Sequence, residues 1–305
     1  MRILISGASG LVGQALIPLL QQSGHQILVL TTQKNSTSFS GDISTHYWNP
    51  EEGVFDSAIL NDIDAIISLA GAKIAQRWTA TAKVSIMNSR VLGTKLIVDA
   101  LKANEKHCIT HFISASAIGI YPSSSSKLYK EDEQSVATTF PGQVVRAWEA
   151  EVDKASMVVE NCSKIRIGLV LAKEGGALQP LAIPTSFGLG SWFGNGAQWQ
   201  SWIHIQDLVR LFVFALDHPG CYNGVAPNPV TQKELVKTIA KTYGMPQWLP
   251  AVPKFVIKFF MGSMASVLFD SIQASSEFAE SQGFRFHFPT ITAALSELLP
   301  LRHKK

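Results

Sequence analysis

Apolar residues along this chain alternate between short unbroken runs and helical spacing. RILIS (2–6) is followed by an amphipathic stretch near 11–23 and then by QILVLT (26–31). DAIISLAG (64–71) reads as a buried strand, and the periodic segment from Thr79 to Asn104 as the helix returning to HFISAS (111–116). FPGQVVRAWEAEVDK (140–154) reads as a further helix and KIRIGLVLA (164–172) as another buried strand. Strands alternating with helices predict an α/β fold, a Rossmann-type doubly wound parallel sheet of about six or seven strands. Within 140–154, Val145, Trp148, Val152 and Ala155 share one face, a buried stripe, while Arg146 and Glu149 stand at i,i+3 and are expected to pair on the surface.

After residue 173 the texture changes. Gly and Pro cluster from 175 to 196, and LGSWFGNGAQWQSW brings Trp192, Trp199 and Trp202 close together. Such a stretch suits a lid or substrate wall better than a sheet. The expected division is therefore a Rossmann domain over 1–173, with later segments near 201–230 contributing to it. A smaller, mostly helical substrate region covers 174–305, including a C-terminal domain at about 245–300. Thr231 followed by Glu234 predicts a capped helix over TQKELVKTIAKTYG. FVIKFFMGSMASVLF (255–269) is too short and interrupted to span a bilayer and is expected to dock as a helix.

Composition narrows the partners. Lys+Arg exceed Asp+Glu by 26 − 23 = 3, too little for a nucleic-acid footprint. Cys108, Cys162 and Cys221 form no CxxC pattern, so no metal site and no disulfide framework are expected, and a reducing cytoplasm fits. MRILISGASG lacks the charged region and cleavage site of a signal peptide. The expected partner is a small-molecule substrate, with neither nucleic acid nor membrane.

SGASGLVG carries the clearest chemistry. Gly7, Gly10 and Gly13 lie between the first strand and first helix, where a tight turn lets a pyrophosphate approach the free N–H groups of the helix start. An NAD-selecting site generally ends its second strand with Asp or Glu, whereas this chain reads LVLTTQK. Thr31 and Thr32 can donate to a 2′-phosphate and Lys34 can neutralise it, which favours NADP(H) over NAD(H); the alternative for Lys34 is a solvated loop charge.

These residues, with SLAG and SASAIGIY, resemble the extended short-chain dehydrogenase/reductase superfamily. LAGAKIAQRWT, SRVLGT, RAWEAE, WQSWIHIQDL, YNGVAPNPVT and QGFRFHFPTITAAL resemble more closely its atypical family of NAD(P)-dependent, sugar-nucleotide epimerase-like proteins with a small C-terminal domain of unassigned function. The resemblance implies that Gly7, Ser9, Gly10, Leu11, Val12 and Gly13 hold the pyrophosphate and that Leu69, Ala70 and Gly71 line the adenine and ribose side. It places Ser114, Ala115 and Ser116 at the cofactor and substrate end of their strand, with Ser116 as the catalytic hydroxyl. Arg90 stands where the superfamily commonly has Asn, and a homodimer through Rossmann helices is a further implication.

The superfamily's Tyr-x-x-x-Lys pair is missing: four residues beyond Tyr47, Tyr121, Tyr129, Tyr222 and Tyr243 lie Glu51, Ser125, Glu133, Ala226 and Gln247. General acid–base catalysis contributes about 10² to 10⁴ in rate, so its loss requires a substitute. Candidates are Tyr121, Glu149 on the helix itself, and Arg90 or Arg146 as fixed cations. Core packing competes for Trp148 and Glu149. His204 and Asp207 either fix a helix start or, for His204, face substrate; Gln198 and Trp202 either wall a substrate pocket or pack the core. Two functions remain open: an NADP(H)-binding oxidoreductase or epimerase-like enzyme acting on a small carbonyl, alcohol or sugar nucleotide, and a non-catalytic NADP(H)-sensing regulatory or scaffold protein.

Overall fold

In the computed structural model, which describes residues 1–34, 43–104 and 106–300, the strands β1 (Arg2–Ser6), β2 (Gln26–Thr31) and β3 (Ile43–Asn49) pair in parallel, and the two-residue β4 (Val54–Phe55) closes that edge antiparallel. On the other side of β1 run β5 (Ala65–Ser68), β6 (His111–Ala117), then, beyond the short β7 (Leu128–Tyr129) outside this sheet, β8 (Asn161–Ile167). A later strand completes that side, so the sheet order is β12-β8-β6-β5-β1-β2-β3-β4, where β12 is Cys221–Gly224. β1 and β5 are fully buried apart from Arg2, as expected of strands covered on both faces. Helix α1 (Leu11–Gln22) connects β1 to β2, while α2 (Ala80–Ala103) connects β5 to β6 in the opposite direction along the sheet. Right-handed crossovers therefore place these helices on opposite faces, and the reversal at β1 opens a crevice at the strands' C-terminal ends.

Helix α3 (Phe140–Ala155) packs beside α2, and its buried Val145, Trp148, Val152 and Ala155 follow the predicted stripe. The half-exposed, polar β3 (ISTHYWN) has no counterpart among the strands read from sequence. The run 164–172 is not one strand. Gly168 interrupts it because a Cβ there would lie 2.3 Å from the Ser201 carbonyl oxygen, and β9 (Leu169–Leu171) leaves the main sheet.

A second core lies under the C-terminal half. After α4 (Gln179–Ser186) come β10 (Trp199–Gln200) and β11 (Trp202–His204), the latter parallel to β9. Helix α5 (Ile205–Asp217) returns to pack on α1, and β13 (Val230–Thr231) pairs antiparallel with β10 and leads into α6 (Gln232–Tyr243). The Thr231 side chain accepts from the Glu234 N–H, as the capping pattern predicts. Leu171, Trp202, Leu235 and Ile239 form this core with Ile291 and Leu295 of a terminal helix.

The single docked helix expected at 255–269 is instead broken near Gly262 into an exposed first part and a second part that packs inward through Met264 and Ala265. Helix α7 (Lys254–Met261) buries no residue; Phe255, Phe259 and Phe260 are 74%, 78% and 72% exposed. Its eight residues turn only Val256, Ile257 and Met261 partly inward. α8 (Ala265–Phe269) follows, then β14 (Gln273–Ala274), paired in parallel with β7, then α9 (Glu277–Ser281) and α10 (Ile291–Leu298). No described helix is long and apolar enough to cross a membrane.

Candidate functional site

Gly7 takes φ +75°, and a Cβ there would stand 2.6 Å from the Leu69 carbonyl carbon. At Gly13 a Cβ would lie 2.6 Å from Ala8, so this glycine admits the loop against α1, whereas Gly10 meets only the Gly7 oxygen at 3.2 Å. Gly10 is the helix N-cap and offers no side-chain acceptor, although Thr79, Thr139, His204 and Thr231 cap α2, α3, α5 and α6 with theirs. The start of α1 thus keeps N–H groups for an anion outside the protein. Ser6 steadies the facing loop, its hydroxyl accepting from Ala70 N–H at 3.3 Å.

Above this loop lies a cleft of about 520 Å³. Gly7, Ser9, Thr31, Thr32, Ala70 and Gly71 line it, six of the positions expected from sequence. Leu11 and Val12 are half-buried in the first turn of α1 beside it. Lys34 stands exposed just past the lining residues, its Nζ 5.4 Å from the Tyr47 ring. Sequence reading missed Trp48, Asn49, Pro50 and Glu51, the opposite wall contributed by the β3–β4 turn; the Asn-Pro pair was the available signal. Glu51 brings a carboxylate to the cleft from this turn, since β2 supplies none.

Arg90 reaches back from α2, its Nη1 donating to the carbonyls of Ala72 and Ile86 at 3.1 Å each. Its guanidinium lies against Gly71, where a Cβ would be 2.9 Å from Cζ, and over the Trp148 ring at 5.4 Å. Burial lowers its pKa to about 10, and no carboxylate pairs with it among the described residues. It is a half-buried cation beside Gly71, holding carbonyls rather than an acid.

The end of β6 is organised differently from the expectation. Ser116 donates to Glu149 Oε1 at 2.5 Å, and Arg166 on β8 grips that carboxylate with both arms, Nε to Oε1 and Nη2 to Oε2 at 2.9 Å. Glu149 therefore forms no surface pair with Arg146. It turns inward, where the buried Arg166 requires a counter-charge, while Arg146 stays exposed. Burial works to raise the Glu149 carboxyl, but the Arg166 hydrogen bonds and charge and the Ser116 hydroxyl overcome it, holding the group below its ordinary range. Arg166 Nη1 also donates to the Tyr121 hydroxyl at 2.9 Å, which in turn donates a hydrogen bond to Asn223 Oδ1 at 2.8 Å. Burial pushes Tyr121 up to about 12, so it is a hydrogen-bonding phenol. Ser116, Glu149, Arg166, Tyr121 and Asn223 are all buried and line neither large cleft. Ser114 is fully buried with its hydroxyl on the Ala115 carbonyl at 2.8 Å, and Ala115 packs in the main core.

The residues expected on the substrate side are placed in the interior. Trp202 is fully buried, its indole N–H donating to the Asn228 carbonyl at 2.9 Å. Gln198 ties the Phe193 and Leu268 carbonyls together. His204 caps α5, accepting from Gln206 N–H at Nδ1, and its Nε2 meets Glu297 at 2.9 Å. An Nδ1 that accepts must be bare, so Nε2 carries the proton and the ring is neutral, in keeping with a pKa lowered by burial against the pull of Glu297. Asp207 holds the C-terminal segment, accepting from the His287 and Phe288 N–H groups at 2.9 and 2.8 Å. Fixing a helix start and a loop is thus the role of both residues.

Residues 3–143 match the model of the NAD dependent epimerase/dehydratase family, and residues 252–298 match a domain of unknown function, DUF1731. An epimerase family protein of Bacillus subtilis, YfhF, is 33% identical over 98% of both chains. The chain belongs to the epimerase family. An Arabidopsis thaliana relative, an SDR39U1 homolog described as chloroplastic, is 32% identical over 98% of this chain and 87% of its own. The crystal structure of human SDR39U1 with NADPH superposes with a TM-score of 0.85 at 28% identity, covering 98% of this chain and 99% of that one. Family membership supports nicotinamide dinucleotide binding, and the glycine loop makes the crevice above α1 the candidate site for it.

Proposed function

We propose that this epimerase family protein is an NADP(H)-binding oxidoreductase or epimerase-like enzyme of the cytoplasm, acting on a small carbonyl or alcohol seated between the sheet and the C-terminal part. The observation that carries the cofactor reading is the rim of the cleft: Thr31 and Thr32 line it, Lys34 stands at its edge, and β2 contributes no carboxylate to claim a ribose 2′-hydroxyl. The human relative solved with NADPH supports the same choice. Hydride transfer is the chemistry that the cofactor supplies when bound. The chain contributes the α1 N–H groups for the pyrophosphate and the Arg90 cation, which has no acidic partner among the described residues, for negative charge nearby. Ser116, donating to Glu149, is the hydroxyl that the family resemblance offers for proton transfer, and reaching it requires an opening at the end of β6, where both side chains are buried.

A specific observation favours a second reading, a cofactor sensor without turnover: Ser116, Glu149, Arg166 and Tyr121 satisfy one another in the interior, and the sequence holds no Tyr-x-x-x-Lys pair. Titration with NADPH and NADH, followed by nicotinamide absorbance across a panel of carbonyls and alcohols, separates the two. Oxidation or reduction that disappears in Ser116→Ala supports the enzyme; tight NADPH binding with no turnover supports the sensor. Tighter binding of NADH that is lost in Glu51→Gln would overturn the NADP(H) choice.

A further inference from the structure

A second cleft, of about 510 Å³, lies where the first turns of α2 and α3 meet the segment carrying α7 and α8. Its size suits a small-molecule ligand. Three lysines, Lys83, Lys254 and Lys258, line it, and so do three aromatic rings, Trp78, Phe140 and Phe269. Among the described residues, no carboxylate lines it and none of the three lysines enters an ion pair. Lys83 Nζ sits 5.2 Å from the Phe140 ring centre, and Lys254 Nζ 5.2 Å from that of Phe269. Arg77 adds a further cation at the rim, its Nε 3.8 Å from where a Gly262 Cβ would be. This grouping of cations around an apolar floor suits an anion with an apolar body.

The floor also connects to the cofactor site. Trp78, Ile86, Val144 and Met264 form one apolar cluster against which Ala72 packs, and Ala72 with Ser89 lines the cofactor cleft. The Ala72 N–H is held by the Ser89 hydroxyl at 2.8 Å, so the loop 72–78 and the start of α2 form a wall common to both clefts.

We infer that this second cleft is the substrate seat and that the substrate is a small organic anion with a flat apolar body, its charge held by Lys83, Lys254 and Lys258 and its ring laid among Trp78, Phe140 and Phe269. The inference rests on the oxidoreductase reading only for the word substrate; the binding site stands without it. The test is isothermal titration of 1-naphthyl phosphate into the full chain, with and without saturating NADPH, using 1-naphthol as the uncharged control. The phosphate ester is expected to bind at least about tenfold tighter than the naphthol. In the triple variant Lys83→Ala, Lys254→Ala, Lys258→Ala its affinity falls about tenfold or more while NADPH affinity and melting temperature stay unchanged. An ester that binds no tighter than the naphthol, or as tightly to the triple variant as to the parent, overturns the inference. Failure to bind NADPH would count against the cofactor reading alone, because the titration without cofactor still decides the cleft.

Discussion

Replacing Arg166 by Met exposes what the buried pair at the end of β6 contributes. Arg166 is 7% exposed and makes four hydrogen bonds, two to the Glu149 carboxylate and one each to the Tyr121 hydroxyl and Glu131 carbonyl, every one at 2.9 Å. Met fills much of the volume but leaves Glu149, 5% exposed, with the Ser116 hydroxyl and with Lys164 Nζ at 3.6 Å. Removing one partner of a buried pair costs about 3–5 kcal/mol, and Lys164 keeps the expected loss near the lower end. That loss corresponds to a fall in Tm of roughly 6–10 °C for a chain of this size. Guanidinium titration followed by tryptophan fluorescence, alongside calorimetry, measures it. The sign with pH follows from the depressed Glu149 carboxyl: its stabilisation is present above the unfolded-state value near 4.3 and is lost as pH falls through the lower folded value. Without Arg166, burial alone raises that carboxyl, so protonation relieves the variant and the gap to the parent narrows between about pH 7 and pH 4. The double variant Arg166→Met, Glu149→Leu is expected to recover most of the loss. A gap below about 1 kcal/mol, or one equally wide at both pH values, would refute the reasoning.

Further outcomes follow from the same geometry. Lys34→Ala is expected to weaken NADPH about fivefold by calorimetric titration and leave NADH nearly unchanged; equal effects on both would separate Lys34 from the 2′-phosphate. Gly7→Ala forces a Cβ to within 2.6 Å of the Leu69 backbone at φ +75°, so dinucleotide binding is lost and Tm falls, whereas unchanged affinity would place the cofactor elsewhere. The His204 value is lowered in the fold, so its contribution is full above the unfolded value near 6.5 and declines as pH falls below it. In His204→Asn, whose side chain can still cap α5, that part of the acid sensitivity disappears; denaturation midpoints across this range decide it.

The frame was readable from sequence because buried parallel strands are continuous apolar runs and the glycine loop fixes where the first crossover begins. The stripe Val145, Trp148, Val152, Ala155 was equally plain. Glu149 was not: its partner Arg166 lies on another strand in a segment that reads as apolar, and only the alignment of β8 with β6, Ser116 opposite Arg166, brings them together. β3 escaped notice because it is polar and half exposed, next to the two-residue edge strand β4. The second cleft was invisible for a simpler reason: Trp78, Phe140 and Phe269 come from three distant parts of the chain, and nothing in their local spacing marks them as neighbours.

The segment between Val252 and Ser271 is tied down at both ends and, between them, by buried Met264 and by the Leu268 carbonyl on Gln198. Gly194 N–H bonds to the Val252 carbonyl at 2.9 Å, and Ser124 N–H to that of Ser271 at 2.7 Å, while the intervening α7 buries nothing. Lys254, Lys258 and Phe269 line the second cleft from this segment, and none of its residues lines the cleft above the glycine loop, so substitutions on the exposed face of α7 are expected to alter the one cleft and leave the other in place.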